Sequence, residues 1–138
     1  MIAPQDIIDQ AREWVGVRFV HQGRSRFGAD CLGFIAAMLA ELGSRCFLDY
    51  LPHNYSRDPN ALLIDSLPLL SREIELQPAA LLLMQFPQAK LPSHAAIYTG
   101  VSIIHCYQIE GKVIEHTYGA PWLTRTKSIW ALPLVTYQ

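Results

Sequence analysis

The chain has 138 residues, of which 51% are hydrophobic and 17% charged, and its formal net charge is −1. This composition excludes an intrinsically disordered protein, which needs low hydrophobicity and high net charge. The near-neutral charge gives no basic field for nucleic acid or an anionic membrane surface, and no apolar run approaches the roughly 20 residues of a membrane-spanning helix. We therefore expect residues 1–138 to form a single domain without a nucleic-acid or membrane partner.

The cysteines and the amino terminus indicate a reducing compartment. Cys31, Cys46 and Cys106 cannot form a closed set of disulfides, and no Cys-x-x-Cys spacing occurs. A disulfide-built secreted scaffold is therefore not expected. The first fifteen residues lack the basic start, apolar middle and cleavage site of a secretory signal. We expect the protein to be cytoplasmic as synthesised.

The first half of the chain has the apolar periodicity of helices. Apolar residues recur every three or four positions, which places them on one helix face. Asp30 is suited to cap the second of these helices, and Gly43 is suited to end it. The predicted elements are a helix over residues 4–15, a polar loop over 18–30, a helix over 31–42, a loop-rich stretch over 44–60 and a short helix over 61–70.

The second half has the pattern of short strands separated by turn residues. Gly100 and Gly111 divide three such segments, which is typical of an antiparallel meander. Pro133 would restrict the last strand to an edge of the sheet. Helices followed by strands predict an α+β fold. The predicted strands cover residues 79–86, His94–Thr99, Ser102–Tyr107, Lys112–His116 and Trp130–Val135.

Cys31 is the first candidate for chemistry because it opens the second predicted helix. The unpaired N–H groups and the dipole of a helix N-terminus stabilise a thiolate and lower the pKa of the thiol. Gly33, two residues later, would let a substrate backbone approach closely. The alternative is that Cys31 is a small buried apolar residue, as most free cysteines are.

His94 and His105 lie on successive predicted strands, and a hairpin would bring their imidazoles within reach of each other. A cysteine nucleophile needs a base, and the base needs a third polar group that fixes its tautomer. By residue type Cys31, His94 and His105 fill these three roles. A zinc site made of the same three residues is an alternative, although the spacing is unusual for structural zinc.

Three further cysteine and histidine residues are not expected to take part in the chemistry. Cys106 alternates with His105 along its strand and is expected to point to the opposite face. His116, at the end of its strand, is expected at the rim or on the surface. Cys46, after the helix stop, is expected to contribute to packing.

Two segments of the chain resemble the NlpC/P60 cysteine peptidases. Residues 14–43, which contain GVRFVHQGRSRFGADCLGF, resemble the cysteine-bearing half of that family, and residues 77–118, which contain PSHAAIYTGVSIIHCY, resemble its histidine strands. The run HQGRS and the later VIEH resemble the small proteins of this family found in phage tails and phage-like particles. The resemblance implies a papain-like α+β fold, with a cysteine-bearing helix packed on an antiparallel β-sheet.

The resemblance also implies a reaction and a set of site residues. Cys31 would be the nucleophile, His94 the general base and His105 the polar residue that orients His94. The family cleaves peptidoglycan stem peptides, typically between γ-D-Glu and a diamino acid, and requires no metal or cofactor. The residues expected to bind the substrate are Asp30, His21, Arg24 and Ser93.

One position departs from the family, and two other functions stay open. Phe19 stands where the family usually has a tyrosine, so the hydroxyl is missing and His21 is a candidate to replace it. The first alternative is a non-catalytic assembly or binding module, for instance in a phage tail tip. The second is a thiol amidase or acyltransferase with a non-murein substrate. A phage particle, cell lysis or a larger protein partner would bring the protein to the cell wall.

Overall fold

A computed structural model of the chain describes residues 1–53 and 67–137. Helices precede a five-stranded antiparallel sheet, which confirms the predicted α+β class. The helices are α1 (Pro4–Glu13), α2 (Cys31–Glu41), α3 (Cys46–Tyr50), a helical stretch at residues 67–70 (α4) and the one-turn α5 (Trp122–Arg125). The strands are a hairpin of β1 (Arg24–Ser25) and β2 (Gly28–Ala29), followed by β3 (Leu81–Met84), β4 (His94–Tyr98), β5 (Ser102–Tyr107), β6 (Lys112–Thr117) and β7 (Thr126–Trp130).

The sheet has the strand order β6-β5-β4-β3-β7, and every neighbouring pair is antiparallel. Tight connections join β4 to β5 and β5 to β6. Gly100 and Gly111 lie in these connections with φ values of 113° and 75°, which side chains other than glycine rarely adopt. The predicted meander is therefore confirmed, and it places three consecutive strands side by side.

The helix face of the sheet packs against α1 and α2. Strand residues alternate between faces, so every second side chain meets the helices. Helix α2 is apolar on nearly all sides and is buried along most of its length, as expected for a helix inside a core. The strand side chains on this face include Leu81, Leu83, Ala95, Ile97, Ile104, Cys106 and Val113.

The opposite face, called here the histidine face, has a smaller apolar cluster and a more aromatic surround. Its buried apolar residues are Leu82, Met84, Ala96 and Ile103, with Trp122 of α5 packed against them. The strand registers place His94, His105 and His116 on this same face. The sheet therefore separates a wholly apolar layer from a layer that contains imidazoles.

The last predicted strand is wrong in its position. We expected it over Trp130–Val135, whereas β7 ends at Trp130 and pairs with β3 at the sheet edge. Pro133 lacks an amide donor, and Leu134 has a φ of 65°, so the chain turns where the strand was expected. Val135 forms only an isolated bridge to Ile2.

Short elements account for the other differences. Helix α3 lies in a stretch predicted as loops, and the β1–β2 hairpin lies in the predicted polar loop. Residues 67–70 of the helix predicted over 61–70 are helical, whereas residues 61–66, and residues 54–60 of the predicted loop, lie outside the described residues. A helix of little more than one turn and a hairpin of two-residue strands carry too little periodicity to be recognised.

Within the described ranges, none of the helices has the length and apolar character needed to cross a membrane.

Candidate active site

Asp30 fixes the position of Cys31 at the start of α2. Its backbone is extended, and its Oδ1 accepts a hydrogen bond from the Gly33 amide at 2.7 Å, which confirms the predicted helix cap. Its Oδ2 accepts from the Gln22 amide at 3.0 Å. One buried carboxylate therefore ties the polar loop to the first turn of the helix, where the thiol lies.

Gly33 has a packing role instead of the expected substrate role. A Cβ atom at this position would lie 1.7 Å from the carbonyl oxygen of Gly23, far inside any normal contact. The same carbonyl accepts a hydrogen bond from the Asp30 amide at 3.2 Å. The loop backbone therefore rests directly on the helix, and only glycine leaves room for it.

The Cys31 thiol is buried against the beginning of β4. Its Sγ donates to the Ser93 carbonyl oxygen at 3.9 Å, and the side chain is 9% exposed. Burial, and after it the charge of Asp30, raises the pKa of Cys31 to about 12, while the amides of Ala95 and Leu32 act in the opposite direction. The expected lowering of the thiol pKa is therefore wrong for this conformation, because desolvation outweighs the helix N-terminus.

His94 and His105 meet on the histidine face. The His94 Nε2 and His105 Nδ1 atoms are 2.6 Å apart, so the prediction that the hairpin joins these imidazoles is confirmed. Burial lowers the pKa of both side chains, and the charge of Arg125 adds to the effect on His94. Both rings are therefore neutral at neutral pH.

Cys31 and His94 line one cavity of about 460 Å³. Within residues 1–53 and 67–137, the thiol is hydrogen-bonded to the Ser93 carbonyl and to no histidine nitrogen. The cavity thus holds a protonated thiol beside a neutral imidazole. Its other walls include Phe19, His21, Asp30, Phe86, Ser93 and Tyr107.

A metal site is a separate question for the same residues. In the part of the chain that the structure describes, no group of three or more His, Cys, Asp or Glu side chains is arranged to hold a metal ion.

Cys106 points to the helix face, as predicted, and donates to the Ala29 carbonyl at 3.0 Å.

Several solved structures superpose on most of this chain. A protein of the NlpC/P60 family from Bacillus cereus superposes with a TM-score of 0.69 at 22% identity, over 93% of this chain and 39% of that one. The NlpC/P60 domain of the peptidoglycan hydrolase SagA gives a TM-score of 0.66 at 17% identity, over 95% of this chain and all of that one. The fold is that of the NlpC/P60 proteins. This result confirms the papain-like fold expected from the resemblance.

A third similar structure supports the same fold, whereas two comparisons by sequence find no match. The peptidoglycan hydrolase RipB from Mycobacterium tuberculosis gives a TM-score of 0.63 at 17% identity, over 97% of this chain and 65% of that one. No protein-family model matches this chain, and no curated protein matches it by sequence. The chain spans well under half the length of the Bacillus cereus protein.

Within this NlpC/P60 fold, most of the predicted site residues come together. Cys31, His94, Asp30, His21 and Ser93 all line the cavity, and His105 lies directly behind His94. Phe19 also lines the cavity, beside His21, at the position where a tyrosine was expected.

Arg24 is the predicted substrate-binding residue that the structure places elsewhere. Its Nη1 and Nη2 atoms donate to the carbonyl oxygens of Leu51 and Pro52 at 3.0 and 2.6 Å. Arg24 is not among the cavity-lining residues. The guanidinium instead holds β1 to the segment after α3.

His116 and Trp122 are the parts of the site that the sequence analysis missed. His116 is partly exposed, as expected for the rim, but its Nε2 also lies 2.8 Å from the Nε2 of His105. Trp122 packs its ring 4.8 Å from the ring of His105 and 5.0 Å from that of His116. The available signal was the spacing, because His94, His105 and His116 follow one another at equal intervals along the meander.

Proposed function

We propose that this protein is a thiol hydrolase of the NlpC/P60 type that cleaves an amide bond in peptidoglycan stem peptides, of the γ-D-Glu–diamino acid type. The carrying observation is that Cys31, at a capped helix N-terminus, and His94, hydrogen-bonded to His105, line the same cavity. SagA and RipB, which share the fold, are peptidoglycan hydrolases. The proposal transfers that activity to this chain.

In this proposal Cys31 attacks the carbonyl carbon of the scissile amide. His94 takes the thiol proton and then gives it to the leaving amine, so that a thioester forms and water later hydrolyses it. A general base has to be unprotonated, and burial keeps His94 in that state. Because burial also keeps the thiol protonated, the proton moves as the substrate is attacked, not before it binds.

The first turn of α2 would stabilise the negative charge of the tetrahedral intermediate. The first amides of a helix have no acceptor within the helix, and Asp30 occupies the amide of Gly33. The Cys31 amide, together with a neighbouring donor, is therefore available at the nucleophile. Donors in such a position are worth roughly 10²–10³ in kcat elsewhere.

Three polar residues of the cavity wall would contact the peptide substrate. Asp30 lines the cavity, and its carboxylate would face the free amino group of the substrate. His21 would supply the polar contact that Phe19 cannot make. Ser93 contributes its backbone carbonyl beside the thiol.

Digestion of purified sacculi tests this function. We expect the protein to release stem-peptide fragments with a new amino terminus on the diamino acid, identified by mass spectrometry. Cys31→Ala should abolish the release, whereas Cys46→Ala, at a half-buried cysteine in α3, should leave it intact. Release that persists in Cys31→Ala, or no release by the wild type, would overturn the proposal.

An acylation assay separates the two alternative functions if sacculi are not cleaved. An activated ester that acylates Cys31 in the wild type, and does so more slowly in His94→Gln, would indicate a thiol enzyme with a non-murein substrate. No acylation of Cys31 in either protein would indicate a non-catalytic module with this fold.

A further inference from the structure

Three histidines form one hydrogen-bonded row across the histidine face. His94 lies on β4, His105 on β5 and His116 on β6. The row has an Nε2–Nδ1 distance of 2.6 Å between His94 and His105 and an Nε2–Nε2 distance of 2.8 Å between His105 and His116. It ends where His116 Nδ1 lies 3.0 Å from the Thr117 carbonyl oxygen.

The strand registers explain why the row is continuous. Ile103 lies opposite His116 and Ile114 lies opposite His105, so the two histidines are diagonal neighbours on one face. Diagonal neighbours in an antiparallel pair lie within reach of long and aromatic side chains. The β4–β5 register, continued along the strands, places His94 and His105 as diagonal neighbours in the same way.

The Thr117 carbonyl determines the direction of every hydrogen bond in the row. A carbonyl oxygen only accepts, so Nδ1 of His116 carries the proton and donates to it. In a neutral imidazole the other nitrogen accepts, so Nε2 of His116 accepts from the protonated Nε2 of His105. By the same rule, Nδ1 of His105 accepts from the protonated Nε2 of His94.

This direction leaves His94 Nδ1 without a proton. That nitrogen is the one not engaged in the row, and His94 lines the cavity that contains Cys31. A base has to present an unprotonated nitrogen to the thiol. The row thus holds His94 in the tautomer that a general base requires, with Nδ1 unprotonated.

We propose that His116 is a positioning residue that acts through His105 to hold His94 in the tautomer with an unprotonated Nδ1. The part of this proposal that concerns the reaction rests on the proposed function. The row itself rests on the three distances and can be tested without a substrate.

Aromatic packing keeps the row in place. Trp122 contacts the rings of both His105 and His116, and the ring of Tyr107 stacks on His105 at a centroid distance of 5.4 Å. His105 is fully buried. The His94–His105 hydrogen bond is shielded from water in this way and is stronger for it, whereas the His116–Thr117 bond at the outer end of the row is exposed. A wrong tautomer in the row would leave two donors or two acceptors facing each other.

Nitrogen-15 NMR of protein labelled at histidine tests the row directly, since long-range proton–nitrogen correlations show which ring nitrogen carries the proton. In the wild type we expect Nδ1–H for His116 and Nε2–H for both His105 and His94. An Nδ1–H tautomer at His94 would overturn the proposal without any variant.

Two substitutions at His116 separate positioning from packing. His116→Phe keeps an aromatic ring against Trp122 but cannot accept from His105, so we expect the single tautomer of His94 to be replaced by a mixture. His116→Gln places an amide oxygen near the former Nε2 position and should retain the Nε2–H tautomer of His94. An unchanged His94 tautomer in His116→Phe would contradict the proposal.

Kinetics then connect the row to the reaction. If the wild type is active, His116→Phe should lower kcat roughly 10–100-fold, with KM unchanged. Losses of this size follow elsewhere when a residue that orients a metal-binding histidine is removed. His116→Gln should recover most of kcat, and a merely structural role would not give this recovery. If the wild type is inactive on every amide tried, the proposed function fails, while the NMR experiment still decides whether the row exists.

Discussion

The two faces of the sheet are made from alternate residues of the same strands, yet one face is apolar and the other contains imidazoles. On β5, Ile104 points into the apolar layer beneath α1 and α2, while the next residue, His105, belongs to the histidine row. The helix face is covered by two long helices, whereas the one-turn α5 covers part of the histidine face. Alternation along a strand therefore lets one element supply a rigid support and a chemical group at once.

The polar groups of the two faces also differ. At the margin of the helix face, Glu41 of α2 accepts hydrogen bonds from Arg26, Trp14 and Gln10, and the first of these contacts contributes most to lowering its pKa to about 2. On the histidine face, burial keeps His94 and His105 neutral. The helix face thus has charged side chains at its solvent-exposed margin, whereas the histidine face contains buried imidazoles that are uncharged.

Removing a large side chain from the helix face should have the largest effect. Phe34 of α2 is fully buried and packs on Trp14, with ring centroids 5.7 Å apart. We expect Phe34→Ala to lower the free energy of unfolding by about 3–5 kcal/mol, measured by denaturant titration. Phe27→Ala is the matched control, since Phe27 is 87% exposed, and it should cost little. Equal losses in the two variants would contradict the assignment of the core.

Acidification should lower the free energy of unfolding first through the buried histidines of the histidine face. Because folding lowers the pKa of His94 and His105, the unfolded chain binds more protons below its histidine pKa of about 6.5, so stability is present above that pH and is lost as the pH falls. Two groups give a slope of up to about 2.7 kcal/mol per pH unit below pH 6.

The pH window isolates these histidines, and a variant checks the assignment. Glu41 has a lowered pKa, so its contribution is lost only at lower pH, below its unfolded value of about 4.3. In thermal or denaturant unfolding between pH 6.5 and 5, His105→Gln should show about half of the wild-type slope. A wild-type stability that does not change over this window would contradict the neutral, buried state of His94 and His105.

A methyl group added where the polar loop rests on α2 should have an intermediate effect. Gly33→Ala would place its Cβ against the Gly23 carbonyl, so the loop or the helix has to move. We expect a loss of about 1–3 kcal/mol in the free energy of unfolding, as for other overpacked sites. Gly119→Ala is the control, because no atom lies within 4 Å of its added Cβ, and it should be nearly neutral.

Disrupting the charges at the margin should have the smallest effect. Glu41→Gln would weaken the contact to Arg26 and the acceptor for Trp14 and Gln10, and we expect a loss of up to about 1 kcal/mol. Glu13→Gln, which removes the more exposed partner of Arg26, should change stability less. A larger loss for Glu13→Gln than for Glu41→Gln in denaturant titrations would reverse this ranking.

Local pattern was sufficient for the elements that build the site. The predicted bounds of α2 and of β4, β5 and β6 agree with the structure to within about one residue, because each of these elements has periodicity, a cap or a bounding glycine of its own. The last strand was misplaced because its position depends on pairing with β3, a contact that no local signal encodes. Helix α5 and the β1–β2 hairpin were missed because they are too short.

By itself the sequence determined the α+β order, the cap of α2 by Asp30, and the pairing of His94 with His105, since each depends on residues close together in the chain. Only the tertiary structure decided that burial raises the pKa of Cys31, that Arg24 binds backbone carbonyls instead of facing the cavity, and that His116 completes the row. The physical reason is the same in each case. Solvation and hydrogen-bond direction depend on every group that surrounds an atom in space, and most of those groups are distant in sequence.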